Sequence, residues 1–177
     1  WDTRKKKLII ARDRFGEKPL YYGIFDGKLI YASEPKAMLA HPSVTAELDL
    51  DALRHYLSYD YVPAPMSIYK GISKLPAANV LIVENGEIKT RRYWNMSWSP
   101  NQAGSLDDWA VELRDLLSDA VRMRLVSDVP LGILLSGGID SSTVAAFATQ
   151  HAIERVKTFS IGFEEDSFDE SKYARQV

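Results

Sequence analysis

None of the 177 residues of the chain is a cysteine. This absence excludes disulfide bridges, thiolate metal sites and a cysteine nucleophile within the sequence. No apolar run approaches the roughly 18 residues that cross a bilayer, and the N-terminal "WDTRKKKLII" has no secretory apolar region behind its charges. The net charge is only −2, so neither nucleic acid nor an anionic membrane is an expected partner. We therefore expect a soluble, cytoplasmic protein.

Residues 1–95 are rich in β-hairpin signals. The strand-like run "KLIIARD" comes almost at the start, without an initiator methionine, which predicts that the sequence begins inside a larger domain. Two β-rich runs surround Asp26-Gly27 and two more surround Asn85-Gly86. Both pairs suit type I′ turns, in which each central residue needs a positive φ. These residues therefore predict antiparallel β structure.

Between the two hairpins, "DLDALRHYLSYDYVP" predicts a short helix that ends before Pro63. Its leucines at positions 50, 53 and 57 share one helical face. The segment "RDRFGEKPLYY", residues 12–22, could form a cluster of bases and acids, but we favour a role in packing.

The composition changes at residues 96–104, where turn-forming residues without periodicity predict a linker. Ser105 and Asp108 then have the spacing of a helix N-cap and its capping-box partner. A stripe at helical spacing is predicted to face a core. It consists of Leu106, Trp109, Leu113, Leu116, Leu117 and Ala120.

A strand–helix–strand unit follows. "LGILL", residues 131–135, is short and continuously apolar, as is typical of a strand buried on both faces. "DSSTVAAFATQHAI" predicts a helix and "VKTFSIGF" predicts a second strand. At this spacing the two strands should be parallel, because a βαβ crossover joins parallel neighbours.

The turn between the first strand and the helix predicts an anion site. Gly137 and Gly138 permit positive φ and close approach of the backbone to phosphate oxygens. The first amides of the helix lack intrahelical acceptors and carry the positive end of its dipole. The hydroxyl groups of Ser136, Ser141 and a further serine at 142 add donors, and Asp140 suits a bridging Mg²⁺ ion. The alternative is a tight turn that Asp140 only caps.

"SGGIDSS" lacks the lysine of the Walker loop, and it resembles the pyrophosphate loop of the N-type ATP pyrophosphatases. Together with "SDVPLGILL", "TFSIGFEE", "ARDRFGEKPLYY" and "ASEPKAML", it resembles glutamine-hydrolysing asparagine synthetase. The resemblance implies a mixed α/β and α+β fold. Residues 1–95 would be the C-terminal part of a glutaminase domain, an N-terminal-nucleophile β-sandwich. Residues 105–177 would begin the parallel-sheet ATP-pyrophosphatase domain.

The resemblance also implies an activity and its participants. ATP would adenylate the side-chain carboxylate of L-aspartate, and ammonia from L-glutamine would give asparagine, AMP and pyrophosphate, in an enzyme that is commonly a homodimer. The implied ATP-binding residues are Leu134, Ser136, Gly137, Gly138, Asp140, Ser141 and Ile161, with Asp140 reaching Mg²⁺ through the pyrophosphate. No catalytic residue of the family falls on this sequence. Two alternatives stay open: a relative that amidates another carboxylate, and a non-catalytic nucleotide-binding module.

The acidic run "FEEDSFDE", residues 163–170, has two interpretations. Its carboxylates could bind a metal, but we favour a solvated loop that leads into a helix at "ESKYARQV". The three histidines are scattered, without the spacing of metal ligands.

Overall fold

A computed structural model describes residues 1–99 and 103–177. Tertiary contacts divide the chain into two compact units, Trp1–Ser99 and Pro100–Val177. The predicted linker at 96–104 includes residues 100–102, which lie outside the described residues. In the described part of the chain, no helix is both long enough and apolar enough to cross a membrane.

The first unit contains two small antiparallel sheets. Their strands are β1 Lys7–Ala11, β2 Tyr21–Phe25, β3 Lys28–Ala32, β4 Ser73–Lys74, β5 Asn79–Glu84 and β6 Glu87–Arg92. One sheet has the order β1-β5-β6 and the other β3-β2-β4. Both predicted hairpins are confirmed, and φ is positive at Asp26 (49°), Gly27 (72°), Asn85 (52°) and Gly86 (82°). The hairpins set the register of each sheet, because a two-residue turn fixes which residues pair.

Two helices belong to this unit, α1 Pro35–Leu39 and α2 Leu50–Tyr59. The helix α2 ends earlier than Pro63, because Asp60 takes the left-handed conformation (φ 59°) and its amide bonds to the Tyr56 carbonyl. The leucine face of this helix is largely exposed: Leu50 is 71% exposed and Leu57 is 74% exposed. The buried residue of the helix is Ala52, so the helix packs through a small side chain.

An apolar cluster draws on both sheets of the first unit. Its buried members are Ile10, Leu75 and Leu81. The Arg12 guanidinium lies beside it and donates to the carbonyls of Gly16 (2.8 Å), Lys18 (2.9 Å) and Leu75 (2.7 Å). These hydrogen bonds hold the loop 12–18 against the segment around Leu75, which precedes β5. They agree with the structural interpretation of "RDRFGEKPLYY".

The second unit contains the predicted strand–helix–strand arrangement. Its elements are α3 Leu106–Arg124, β7 Gly132–Leu134, α4 Ile139–His151, β8 Lys157–Phe159 and α5 Ser171–Ala174. The strands β7 and β8 are parallel, as predicted, with Leu134 opposite Phe159. The capping box of α3 is also confirmed: the Ser105 hydroxyl accepts from the Asp108 amide, and the Asp108 carboxylate accepts from the Ser105 amide.

Two burial predictions for this unit are wrong. The apolar stripe of α3 is largely exposed, and the buried residue of the helix is Val121. The strand β7 is not buried on both faces, since Leu134 is 74% exposed. These elements are exposed because few others cover them. Among the described residues, α3 packs against α4, and β7 pairs only with β8.

Candidate functional site

The turn between β7 and α4 is held by its own serine hydroxyls. The Ser136 and Ser141 hydroxyl oxygens lie 2.9 Å apart, and the Ser136 hydroxyl also accepts from the Gly138 amide at 3.3 Å. The Ser141 hydroxyl accepts from the Ser136 amide and donates to the Gly138 carbonyl. The turn is therefore preformed by hydrogen bonds within the chain.

The turn presents unpaired amides at the start of α4. The structure shows no acceptor among the described residues for the amides of Ile139, Asp140 and Ser141, as the first helical turn requires. Gly138 is the N-cap residue and provides no side-chain bond to them. These donors and the helix dipole make the turn suited to an anion.

The two glycines of the turn have different conformations. Gly137 has a φ of +81°, as predicted, but Gly138 is extended, with φ −73° and ψ 163°. A Cβ atom on Gly137 would overlap the Tyr173 carbonyl carbon and lie 2.6 Å from the Ala174 amide nitrogen. The residue must be glycine because the backbone of α5 occupies the space that a side chain would need. The nearest atom to a Cβ on Gly138 is the Ser136 hydroxyl oxygen, at 3.4 Å.

A groove of about 290 Å³ opens beside the turn. It lies at the carboxyl ends of the two parallel strands, where open α/β sheets bind ligands. Of the predicted site residues, Leu134, Ser136 and Ile161 line it. Leu134 is 74% exposed and Ile161 68% exposed, so neither side chain belongs to the core of the unit.

Sequence reasoning missed other lining residues of this groove, namely Phe159, Phe163 and Glu170. The aromatic pair had a signal, because Phe159, Ile161 and Phe163 alternate with the period of a strand. No sequence pattern indicated Glu170, because only the packing of α5 brings this residue to the groove.

The predicted carboxylate of the site, Asp140, is exposed in the first turn of α4. It makes no ion pair with any described residue. No group of three or more His, Asp or Glu side chains in the described ranges could hold a metal ion. A cation at Asp140 would therefore need ligands from elsewhere.

The acidic loop 163–170 ends in a local cap. Asp169 accepts from the Ser171 amide (3.1 Å) and hydroxyl (2.8 Å). These two bonds, the hydroxyl first, lower the pKa of the Asp169 carboxyl below its ordinary value. The predicted helix after the loop is confirmed as the single turn α5.

Comparison with known proteins finds a family match for each of the two units. Residues 1–94 match the family model of the glutamine amidotransferase domain, and residues 112–177 match that of asparagine synthase. The chain belongs to the glutamine-hydrolysing asparagine synthetase family. The match confirms the resemblance that its motifs predicted.

Two similar relatives come from Bacillus subtilis. Asparagine synthetase (glutamine-hydrolysing) 1 is 36% identical over 178 residues, which cover 100% of this chain and 28% of the relative. Asparagine synthetase (glutamine-hydrolysing) 3 is 37% identical over 171 residues, which cover 94% of this chain and 28% of the relative. The chain thus spans less than a third of the length of these two relatives.

Proposed function

We propose that this chain provides the ATP-binding part of a glutamine-dependent asparagine synthetase. In the proposed reaction, the side-chain carboxylate of L-aspartate attacks the α-phosphate of ATP and displaces pyrophosphate. Ammonia released from L-glutamine then attacks the aspartyl adenylate, which gives asparagine and AMP. Unpaired donors at the β7–α4 turn would bind the β- and γ-phosphates and stabilise them as they depart as pyrophosphate.

One observation carries this proposal. The groove at the carboxyl ends of β7 and β8 brings Leu134 and Ile161 together beside the turn that presents free amides. An apolar cleft beside an anion site fits a nucleotide, whose base is apolar on its faces and whose phosphates are charged. Cleavage between the α- and β-phosphates is proposed because "SGGIDSS", which lacks the lysine of a Walker loop, resembles the pyrophosphate loop of the N-type ATP pyrophosphatases.

The domain assignment is part of the same proposal. Residues 1–95 would be the C-terminal part of the glutaminase domain, of the N-terminal-nucleophile class. Residues 96–104 would be the linker, and residues 105–177 would begin the ATP-pyrophosphatase domain. The antiparallel sheets of the first unit and the parallel pair of the second support this division.

Asp140 is the residue that we assign to Mg²⁺. Its exposed, unpaired carboxylate offers one oxygen ligand, and Mg²⁺ commonly takes one or two carboxylates with substrate phosphates and water. A single carboxylate from Asp140, together with phosphate oxygens and water, therefore fits Mg²⁺. When bound, Mg²⁺ would neutralise charge on the pyrophosphate. Ser136, Gly137, Gly138 and Ser141 would shape the turn against the phosphates.

The reaction products test the proposed function. The natural protein that contains this chain is incubated with ATP, L-glutamine and L-aspartate, and nucleotides and amino acids are separated by chromatography. We expect AMP, pyrophosphate and asparagine in equal amounts. ADP and phosphate as the stoichiometric products would refute the assignment. AMP formation only with another carboxylate in place of aspartate would show a different acceptor, and ATP binding without turnover would show a non-catalytic module.

The homodimer that the family resemblance implies and the cytoplasmic location expected from the sequence composition also remain proposals. We expect a homodimer in the cytoplasm, and light scattering coupled to size-exclusion chromatography measures the mass of the assembly.

A further inference from the structure

We infer that Glu170 binds the ribose hydroxyl groups of the nucleotide and so makes the site selective for ribonucleotides. This inference rests on the proposed function, because it assigns a contact within the same ATP site. It adds a residue that neither the loop motif nor the family resemblance had pointed to.

Glu170 is the one charged side chain among the described residues that line the groove. It precedes α5 as the N-cap residue, but its side chain makes no capping bond. Its position is fixed by the backbone, since its carbonyl accepts from the amides of Tyr173 (2.9 Å) and Ala174 (3.2 Å). The carboxylate itself has no partner among the described residues.

The other polar side chains of the groove are already engaged. The Ser160 hydroxyl donates to the Leu135 carbonyl at 2.6 Å. The Ser136 hydroxyl bonds to the Ser141 hydroxyl and accepts from the Gly138 amide. Glu170 therefore provides the polar side chain of the groove that is free to bind a ligand.

The chemistry of a carboxylate limits what Glu170 can bind. An ionised carboxylate only accepts hydrogen bonds, and phosphate oxygens are acceptors of the same charge, so Glu170 does not bind the phosphates. The donors on ATP are the ribose 2′- and 3′-hydroxyl groups and the adenine amine. An acidic side chain on ribose hydroxyls is also the arrangement found in dinucleotide-binding folds.

The position of α5 favours the ribose over the base. Tyr173 and Ala174, in the turn that follows Glu170, pack their backbone against Gly137 of the phosphate turn. Glu170 therefore lies about one turn of helix before the residues that contact Gly137. The ribose lies between base and phosphates, so we assign the ribose rather than the base to Glu170 for a nucleotide whose phosphates are bound at this glycine turn.

Nucleotide analogues test the inference in the natural protein that contains this chain. Calorimetric titration with Mg²⁺, but without glutamine or an acceptor, gives the Kd of ATP, 2′-deoxy-ATP, 3′-deoxy-ATP and ITP. We expect ATP and ITP to bind roughly tenfold to hundredfold more tightly than at least one deoxy analogue, the range for a hydrogen bond to a charged group. Glu170→Ala should weaken ATP by that factor and leave the affected analogue unchanged.

Two further variants control the experiment. Glu170→Gln keeps the shape and one acceptor oxygen, so its ATP affinity should lie between those of the wild type and Glu170→Ala. Glu164→Gln removes a carboxylate of the same acidic loop that does not line the groove, and its affinities should equal those of the wild type.

Each other outcome overturns the inference. If wild type binds all four nucleotides equally, the ribose is not recognised. A selective loss of ITP affinity would place the carboxylate on the base amine. An equal loss for all nucleotides in both Glu170 variants would show a structural or metal-binding role. If wild type binds no ATP at all, the proposed function fails together with this inference.

Discussion

Gly137→Ala should destabilise the second unit by displacing α5. Alanine at the Gly137 φ of +81° costs about 1–2 kcal/mol relative to right-handed backbone. Its Cβ would also overlap the Tyr173 carbonyl carbon and lie 2.6 Å from the Ala174 nitrogen, and such overpacking costs about 1–3 kcal/mol. The sum is about 2–5 kcal/mol. At about 2–4 °C per kcal/mol, the unfolding midpoint of this unit should fall by at least about 4 °C.

Gly138→Ala is the matched control for this prediction. Gly138 has an ordinary φ of −73°, and its new Cβ would meet only the Ser136 hydroxyl oxygen, at 3.4 Å. Its stability should change by less than about 1 kcal/mol in either direction. Differential scanning calorimetry of both variants in the natural protein that contains this chain gives the two midpoints. Equal midpoints for the two variants would refute the argument that α5 packs on the Gly137 backbone.

Four further predictions concern activity and stability. Asp140→Ala in the same natural protein should lower kcat for asparagine synthesis by about 10²–10³, because a charge stabiliser of the transition state is lost. Glutamine hydrolysis should persist, and near-normal synthesis would show that Asp140 has no part in the reaction. The 177-residue chain itself has no cysteine and should release no ammonia from glutamine above a protein-free blank. Ser105→Ala should destabilise α3 by about 1 kcal/mol in urea unfolding, through loss of its N-cap bond. Lowering the pH should destabilise the folded chain. Hydrogen bonds to the carboxylates lower the pKa values of Asp13, Asp108 and Asp169 below 3.8 in the folded state. The stability that these hydrogen bonds contribute is complete above the ordinary pKa and is lost as the pH falls through the folded pKa values. Urea midpoints measured from about pH 5 down to pH 2 should therefore decrease, and a constant midpoint would contradict the prediction.

The loop of the candidate site could be found from the sequence because it is local. The residues from Ser136 to Ser141 are consecutive, so their turn, its glycine at positive φ and the unpaired amides of α4 follow from nearest-neighbour chemistry. Only some of the residues that line the groove could be predicted from the sequence. The family resemblance predicts Leu134 and Ile161, whereas Phe159 and Phe163 follow the alternation of a strand.

Local signals in the sequence determined the hairpins, the capping box of α3 and the parallel β7–β8 pair. Each depends on a few adjacent residues or on a chiral crossover rule, and these act before distant parts of the chain meet. Burial was not determined in this way. The apolar stripe of α3 and the strand β7 have the pattern of core elements, yet both are largely exposed in the described unit.

Tertiary structure decided burial and the reach of α5, because both depend on which elements lie against each other. An apolar pattern shows which face an element can bury, but only a packed neighbour removes that face from water. In the same way, Glu170 lies more than thirty residues after the glycine turn, and no pattern in the sequence relates the two. The packing of the Tyr173–Ala174 backbone against Gly137 places Glu170 at the groove.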